Sequence, residues 1–395
     1  MDKFGKKPVK GRGALSNPAG RFESVARGAI DDGWNSLEEE APRLKTQVTA
    51  DPARSIISTN DSPDVSFRQS INPYRGCENG CIYCFARPSH AFLNLSPGLD
   101  FETKLFYKAN AAELFEKELR KPGYVCRPIV IGVNTDAYQP IEREYRVTRS
   151  LLEVAWRFRQ PMELITKGAT LMERDVDLIG EMGRAGLADV TVSITSLSDD
   201  IKRSLEPRTS SPAARLRLVR KLTDAGVPVT VNVAPVIPAI TDHEIEAILE
   251  AARDAGAVGA GWVMLRLPWE VKDLFREWLD AHYPDRADHV MSLMRQIHGG
   301  EAQHRPRETV TDPEGYNLDA PAAPQPRKPD RYAKNVYYNA EFGARQRGNG
   351  PFAALIEQRF RLACRRLGLD RPTRELDTKQ FLVPPAPGDQ FGLEF

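Results

Sequence analysis

Cysteine is scarce in this chain, five in 395 residues. That is too few for a disulfide-stapled scaffold, and reduced thiols fit an expected cytoplasmic location. Long apolar runs are missing as well. The longest, such as Val229–Ile240, have strand length and are broken by Pro235 and Pro238. None would span a bilayer, so no membrane role is expected. Met1 opens a polar, Lys- and Gly-rich stretch without an apolar core, and no signal peptide is expected there. Nor is there an excess of one charge sign: the formal net charge is +1, with 28% charged residues. Such a balance neither demands nor excludes nucleic acid, because charge can segregate by region.

The chain is long enough for one large α/β domain with extensions. Residues 1–62 lack periodicity and read as a polar, basic, partly disordered extension, with Lys10 and Arg12 among its basic residues and an acidic run at Glu38–Glu40. A nucleic-acid-contacting arm is the second reading of that segment. Residues 63–300 alternate strand-length apolar runs with helical periodicity. The predicted strands are 68–74, 128–134, 162–166, 189–195, 227–233 and 262–267. The predicted helices are 110–120, 147–158, 171–185, 213–225, 243–255 and 269–282. Six βα units with short connections argue for a parallel sheet, and six are too few to close an eight-stranded barrel. A partial, open (β/α)6 barrel follows, with its chemistry at the C-terminal ends of the strands. Residues 301–395 form a C-terminal extension, with a Pro-rich linker at 321–329, a helix over 352–367 and a tail ending in Phe391 and Phe395 that could pack back on the core.

Three of the five cysteines fall within eight residues, as Cys77-Glu78-Asn79-Gly80-Cys81-Ile82-Tyr83-Cys84. Three thiolates on one short loop can each bind one iron of a cuboidal 4Fe–4S cluster, leaving the fourth iron without a protein ligand. A zinc site would want four ligands, usually in two pairs, and Cys126 and Cys364 lie far apart and alone. His90 is the one nearby side chain able to close the set, which would give a structural site and a non-enzymatic binding protein.

The spacing resembles that of the radical S-adenosylmethionine (radical SAM) superfamily. The resemblance implies a 4Fe–4S cluster on Cys77, Cys81 and Cys84, and S-adenosylmethionine on the open iron. It further implies reductive cleavage to a 5′-deoxyadenosyl radical that abstracts hydrogen from a substrate. A small electron donor such as flavodoxin or ferredoxin is expected as partner. Tyr83 matches the family's aromatic position beside the adenine. Thr135 and Asp136, after the second strand, stand where the family binds the cofactor's ammonium, although its usual Gly-Gly-Glu is missing. Lys167 at the mouth of the third strand would pair with the cofactor carboxylate. Ser193 on the fourth strand faces the ribose or amino-acid end, and Asn232 on the fifth is a buried amide in need of partners. Arg266, between Leu265 and Leu267, should face the cavity and meet substrate.

Within the superfamily, residues 70–270 are similar to the spore photoproduct lyase branch through Thr166-Lys167, Val192–Ile194, Leu205–Ser211, Arg215-Leu216 and Val233–Val236. Lys10–Ala14 and Thr135–Arg143 resemble instead an uncharacterised bacterial branch, which brings no known substrate. Two departures speak against DNA-lesion repair copied unchanged. The lyase's hydrogen-donating cysteine corresponds to Val133 here, and its tyrosine to Phe85. Cys126 precedes the second strand, at the opposite end of the barrel.

Overall fold

A computed structural model describes residues 8–23, 44–299, 335–370 and 375–385. Its strands are β1 (Gln47–Ala50), β2 (Ile57–Thr59), β3 (Gln69–Ile71), β4 (Tyr74–Arg75), β5 (Lys104–Tyr107), β6 (Ile129–Ile131), β7 (Met162–Thr166), β8 (Ala188–Ser193), β9 (Val229–Val236) and β10 (Gly259–Met264). Seven of them make one sheet in the order β10-β9-β8-β7-β6-β3-β2. Every pairing is parallel except β2 with β3. β10 and β2 are the two edges of this sheet, so the α/β barrel is open, as six βα units require. A smaller sheet, β1-β5-β4, stands beside it.

The pattern that builds the barrel is local. Val190 and Val192 on β8, and Val229, Val231 and Val233 on β9, are buried between sheet neighbours and covering helices. In the helix Val147–Arg157, Val147, Leu151, Val154 and Ala155 recur at three- and four-residue steps and are all buried. Each fully buried aliphatic side chain of this kind contributes about 1.5–3 kcal/mol. A second core gathers Phe275, Trp278 and Met294, from the helices Val271–His282 and Pro284–His298, under Ile82 and Tyr83 of the cysteine loop.

Three features differ from the sequence expectation. The last parallel strand lies three residues earlier than 262–267, because Gly259–Gly261 joins the ladder to β9 despite lacking bulky side chains. Arg266 therefore falls beyond the strand's end. The helix expected over 171–185 is broken into Ala169–Met172, the 3₁₀ turn Glu173–Asp175 and Val176–Arg184. At the break, Arg174 turns to Glu142 at 2.8 Å and Asp175 at 3.0 Å. Finally, residues 11–16 are not a solvated arm. Arg12, Ala14 and Ser16 are buried. Arg21 is also engaged, donating to Glu270 and lying over the rings of Phe22, Phe92 and Trp269. Glu38–Glu40, the linker at 321–329, Phe391 and Phe395 lie outside the described residues.

The C-terminal helix runs from Gly350 to Leu367, two residues longer than expected, with Pro351 in its first turn. It covers the β10 edge, with Phe360 against Trp262 and Arg359 on Glu246 at 2.6 Å. Further on, the Leu382 N–H donates to the Phe158 carbonyl at 3.0 Å and Phe381 packs on Tyr124.

Candidate active site

The cysteine loop leaves the sheet at the C-terminal rim, through β3 and the two residues of β4. Gly76 and Gly80 take positive φ angles of 74° and 68°, which lets the chain fold tightly round the thiols. All three cysteines are free, Cys77 being buried. Burial pushes the Cys77 and Cys81 thiols up, Cys81 to about 12, and carboxylates at Asp136 and Glu206 add to the effect. Neutral thiols are thus preferred until a cation is bound. Among the described residues, no three His, Cys, Asp or Glu are grouped to hold a single metal ion.

The rest of the chain holds this loop from several directions. Arg87, fully buried, donates to the carbonyls of Cys81 at 2.9 Å and Gly80 at 3.3 Å, and to Glu102 at 2.5 Å. Glu102 accepts from the N–H groups of Gly13 at 3.0 Å and Ala14 at 2.9 Å. Arg12 donates to the Glu102 carbonyl at 2.8 Å. A Cβ at Gly13 would overlap the Gly80 carbonyl oxygen, so only glycine admits this close approach. From the β6 loop, Gln139 receives the Glu78 N–H at 2.9 Å and donates to the Gly76 carbonyl at 3.2 Å. From the segment after β8, the Leu205 carbonyl accepts from Ile82 N–H at 3.1 Å, and Arg208 N–H donates to Asn79 at 3.2 Å.

A cavity of about 700 Å³ opens beside the loop, and Tyr83, Lys167, Ser193, Asn232 and Arg266 all line it. Ser193 and Asn232 are register partners on β8 and β9. The Lys167 ammonium lies 5.7 Å from the Tyr83 ring centroid, and the Arg266 guanidinium 4.3 Å from that of Phe85. Two further residues singled out by sequence are placed differently. Thr135 is buried and donates to the Tyr74 carbonyl at 3.1 Å. Asp136 accepts from Thr166 Oγ1 at 2.6 Å, Lys167 N–H at 2.7 Å, Asn79 Nδ2 at 2.9 Å and Tyr138 N–H at 2.9 Å. With both oxygens engaged, Asp136 braces the rim and does not line the cavity. His90 is committed at one nitrogen only: its Nε2 bonds the Lys104 carbonyl at 2.9 Å and its ring packs on Phe101, while its buried Nδ1 has no partner among the described residues. Cys126 contacts Gln160, at the end of the sheet away from the loop.

The group of residues without a role in the sequence reading is a buried ion pair under Tyr83. Glu206 accepts from the Tyr83 hydroxyl, from Thr195 Oγ1 at 2.6 Å and from Arg215. Arg215 also donates to the Ser193 carbonyl at 2.9 Å and to Thr209 at 2.6 Å. Burial pushes the Glu206 carboxyl up, but the Arg215 and Lys167 charges and the hydroxyl donors outweigh it and hold the group down at about 2. The signal for this pair lay in Leu205–Ser211 and Arg215, seen only as resemblance.

A sequence profile of the radical SAM superfamily matches residues 71–252. An uncharacterized protein of Mycobacterium tuberculosis is 35% identical over 232 residues, 58% of this chain and 68% of that one. The chain belongs to the radical SAM superfamily. An uncharacterized protein of Methanocaldococcus jannaschii is 25% identical over 200 residues, 51% of this chain and 71% of that one. Among solved structures, spore photoproduct lyase complexed with dinucleoside spore photoproduct is 18% identical with a TM-score of 0.44. That match spans 60% of this chain and 66% of the lyase, slightly under two thirds of its length.

Radical SAM membership makes the protein an enzyme and implies an iron–sulfur cluster, S-adenosylmethionine and a reductant. The residues present fit such a group. Three unpaired thiols share one tightly held loop, and that loop contributes Tyr83 and Phe85 to the cavity wall. No helix among the described residues is long and apolar enough to cross a membrane.

Proposed function

We propose that Cys77, Cys81 and Cys84 each hold one iron of a 4Fe–4S cluster, and that S-adenosylmethionine binds the remaining iron from within the cavity. When bound, this pair supplies reductive cleavage of the sulfonium to a 5′-deoxyadenosyl radical, which takes a hydrogen atom from the substrate. The observation that carries the reading is the joining of a three-thiol loop to a cavity already lined by Tyr83, Lys167, Ser193 and Asn232. Lys167 offers a point charge to the cofactor carboxylate. Ser193 and Asn232, side by side on β8 and β9, offer a hydroxyl and an amide to the ribose or amino-acid end. Tyr83, fixed by Glu206 and Thr195, keeps its ring as a wall for the adenine. Asp136 acts one step back, by holding Asn79 and the Lys167 backbone in place, and Thr135 by tying its loop to the Tyr74 carbonyl. A small one-electron carrier such as flavodoxin or ferredoxin is the reductant, and the chemistry belongs to the cytoplasm.

DNA-lesion repair is the weaker reading. Val133 and Phe85 line the cavity with no S–H or O–H hydrogen to return to a product radical. A zinc-binding protein is weaker still, since radical SAM membership implies an iron–sulfur cluster at these thiols instead.

Anaerobic reconstitution with iron and sulfide, followed by dithionite and S-adenosylmethionine, tests the proposal. The expected outcome is a brown protein that forms 5′-deoxyadenosine. Cys81→Ala should lose both the colour and the cleavage. A colourless protein carrying one zinc, or cleavage surviving in that variant, would sink the assignment.

A further inference from the structure

We infer that the outer part of the cavity is a binding site for an oxyanion of the substrate, a carboxylate or a phosphate, held by Arg266 with Arg345 beside it. The inference deepens the function proposed above, because it names the class of molecule that would meet the radical.

Among the described residues, three cations, Lys167, Arg266 and Arg345, line the cavity, and no Asp or Glu does. Arg266 is mostly buried. It forms no hydrogen bond or ion pair among the described residues, only its stack on Phe85 at 4.3 Å. Burial disfavours its charge and the neighbouring Arg345 opposes it again, while Tyr338, Cys84 and Asp64 support it without any of them bonding it. A guanidinium stacked on an aromatic ring leaves its N–H edge free, in the planar fork that matches a carboxylate or phosphate. A desolvated cation without a counterion is unfavourable until an anion arrives.

The cofactor carboxylate is one charge, and Lys167 already stands ready for it. Lys167 lies over Tyr83 and Arg266 over Phe85, so the two cations sit on residues that flank Cys84 on either side. Arg266 is left for the substrate.

Arg345 is only half committed. It pairs with Asp64 at 2.5 Å and donates to Ser62. It is held there by a segment that runs from the loop after β10 to the loop after β2. At the β10 side, Leu267 N–H donates to Tyr337 at 3.2 Å and Asn335 Nδ2 to the Leu267 carbonyl at 2.8 Å. At the β2 side, Gly343 N–H donates to Asp64 Oδ1 at 2.5 Å. The anion site is thus assembled from these two loops and a C-terminal strap.

Calorimetric titration of the reconstituted protein with inorganic phosphate and, separately, succinate tests this. At least one anion should saturate a single site per chain. Phosphate alone would indicate a phosphorylated substrate, and succinate alone a carboxylic acid. Arg266→Gln should weaken the binding about tenfold, the loss expected for one charge-assisted contact. Asp64→Asn keeps an acceptor for Gly343 but frees Arg345, and should tighten the binding several-fold. S-adenosylmethionine binding by equilibrium dialysis should stay within about twofold in both variants. The inference is overturned if neither anion binds at millimolar concentration, if Arg266→Gln leaves anion binding unchanged, or if that variant loses S-adenosylmethionine to the same extent. Anion binding that follows this pattern in a protein unable to cleave S-adenosylmethionine would overturn the proposed function and leave the site standing.

Discussion

Glu206 shows how one side chain couples the chemistry to the stability. Its carboxylate sits between the Tyr83 hydroxyl and the Arg215 guanidinium, all three buried. Removing the charge by Glu206→Gln strands Arg215, a change that costs about 3–5 kcal/mol in such settings. The pH dependence follows from a folded value of about 2 against 4.5 for the free group. The contribution is complete above pH 4.5 and drains away as the pH falls toward 2. The gap in urea midpoint between wild type and Glu206→Gln should therefore be wide at pH 7 and narrower at pH 3; an equal gap at both would show that Glu206 is not the ionised partner. At this scale the site was partly legible. Tyr83, Lys167, Ser193, Asn232 and Arg266 come to one cavity because the ends of parallel strands share a rim. Asp136 stands on that rim too, but local sequence cannot reveal that Asn79, Thr166 and two backbone N–H groups have already claimed its oxygens. Glu206 and Arg215, nine residues apart, entered only through a family resemblance, because nothing local shows that the fold buries them together.

At the scale of elements, the parallel strands were legible where Val and Ile crowd, as in β6, β8 and β9. The smaller sheet was not. β1 is mostly exposed and β4 has two residues, so neither carries an apolar signature, and their pairing with β5 is set by distant contacts. One flaw in the main sheet is testable. Glu163 on β7 and Asp189 on β8 are register partners, two carboxylates side by side. Burial, then the Glu163 charge, raises Asp189 from 3.8 to about 7. The folded state thus favours the protonated acid, so the contribution is complete below pH 3.8 and is lost as the pH rises from there through 7. Asp189→Asn should raise the thermal midpoint at pH 8, by about 1–2 kcal/mol in stability, and raise it less at pH 5. A variant that gains nothing at pH 8 would mean the pair is relieved in another way.

Across the whole molecule, the described parts of both extensions are walls of the domain. The helix Gly350–Leu367 seals β10 through Ile356, Phe360 and Ala363, all buried. Ile356→Ala should cost about 2–4 kcal/mol, the range for emptying a buried aliphatic site. Iron content after reconstitution should be unchanged in that variant, since its contacts lie on the outer face of the sheet. A variant that fails to hold iron would tie this helix to the thiol loop.

The hold on that loop has a consequence for how the enzyme is made. Its carbonyls and amides are gripped by Arg87, Phe101, Gln139, Leu205 and Arg208, with Glu102 and Arg12 behind Arg87, and the support beneath Tyr83 is complete only with Arg215. While a ribosome is still adding residues before that point, the thiols have emerged but their seat has not. Iron delivery must therefore wait on more than half of translation, which makes metallation a late checkpoint on correct folding.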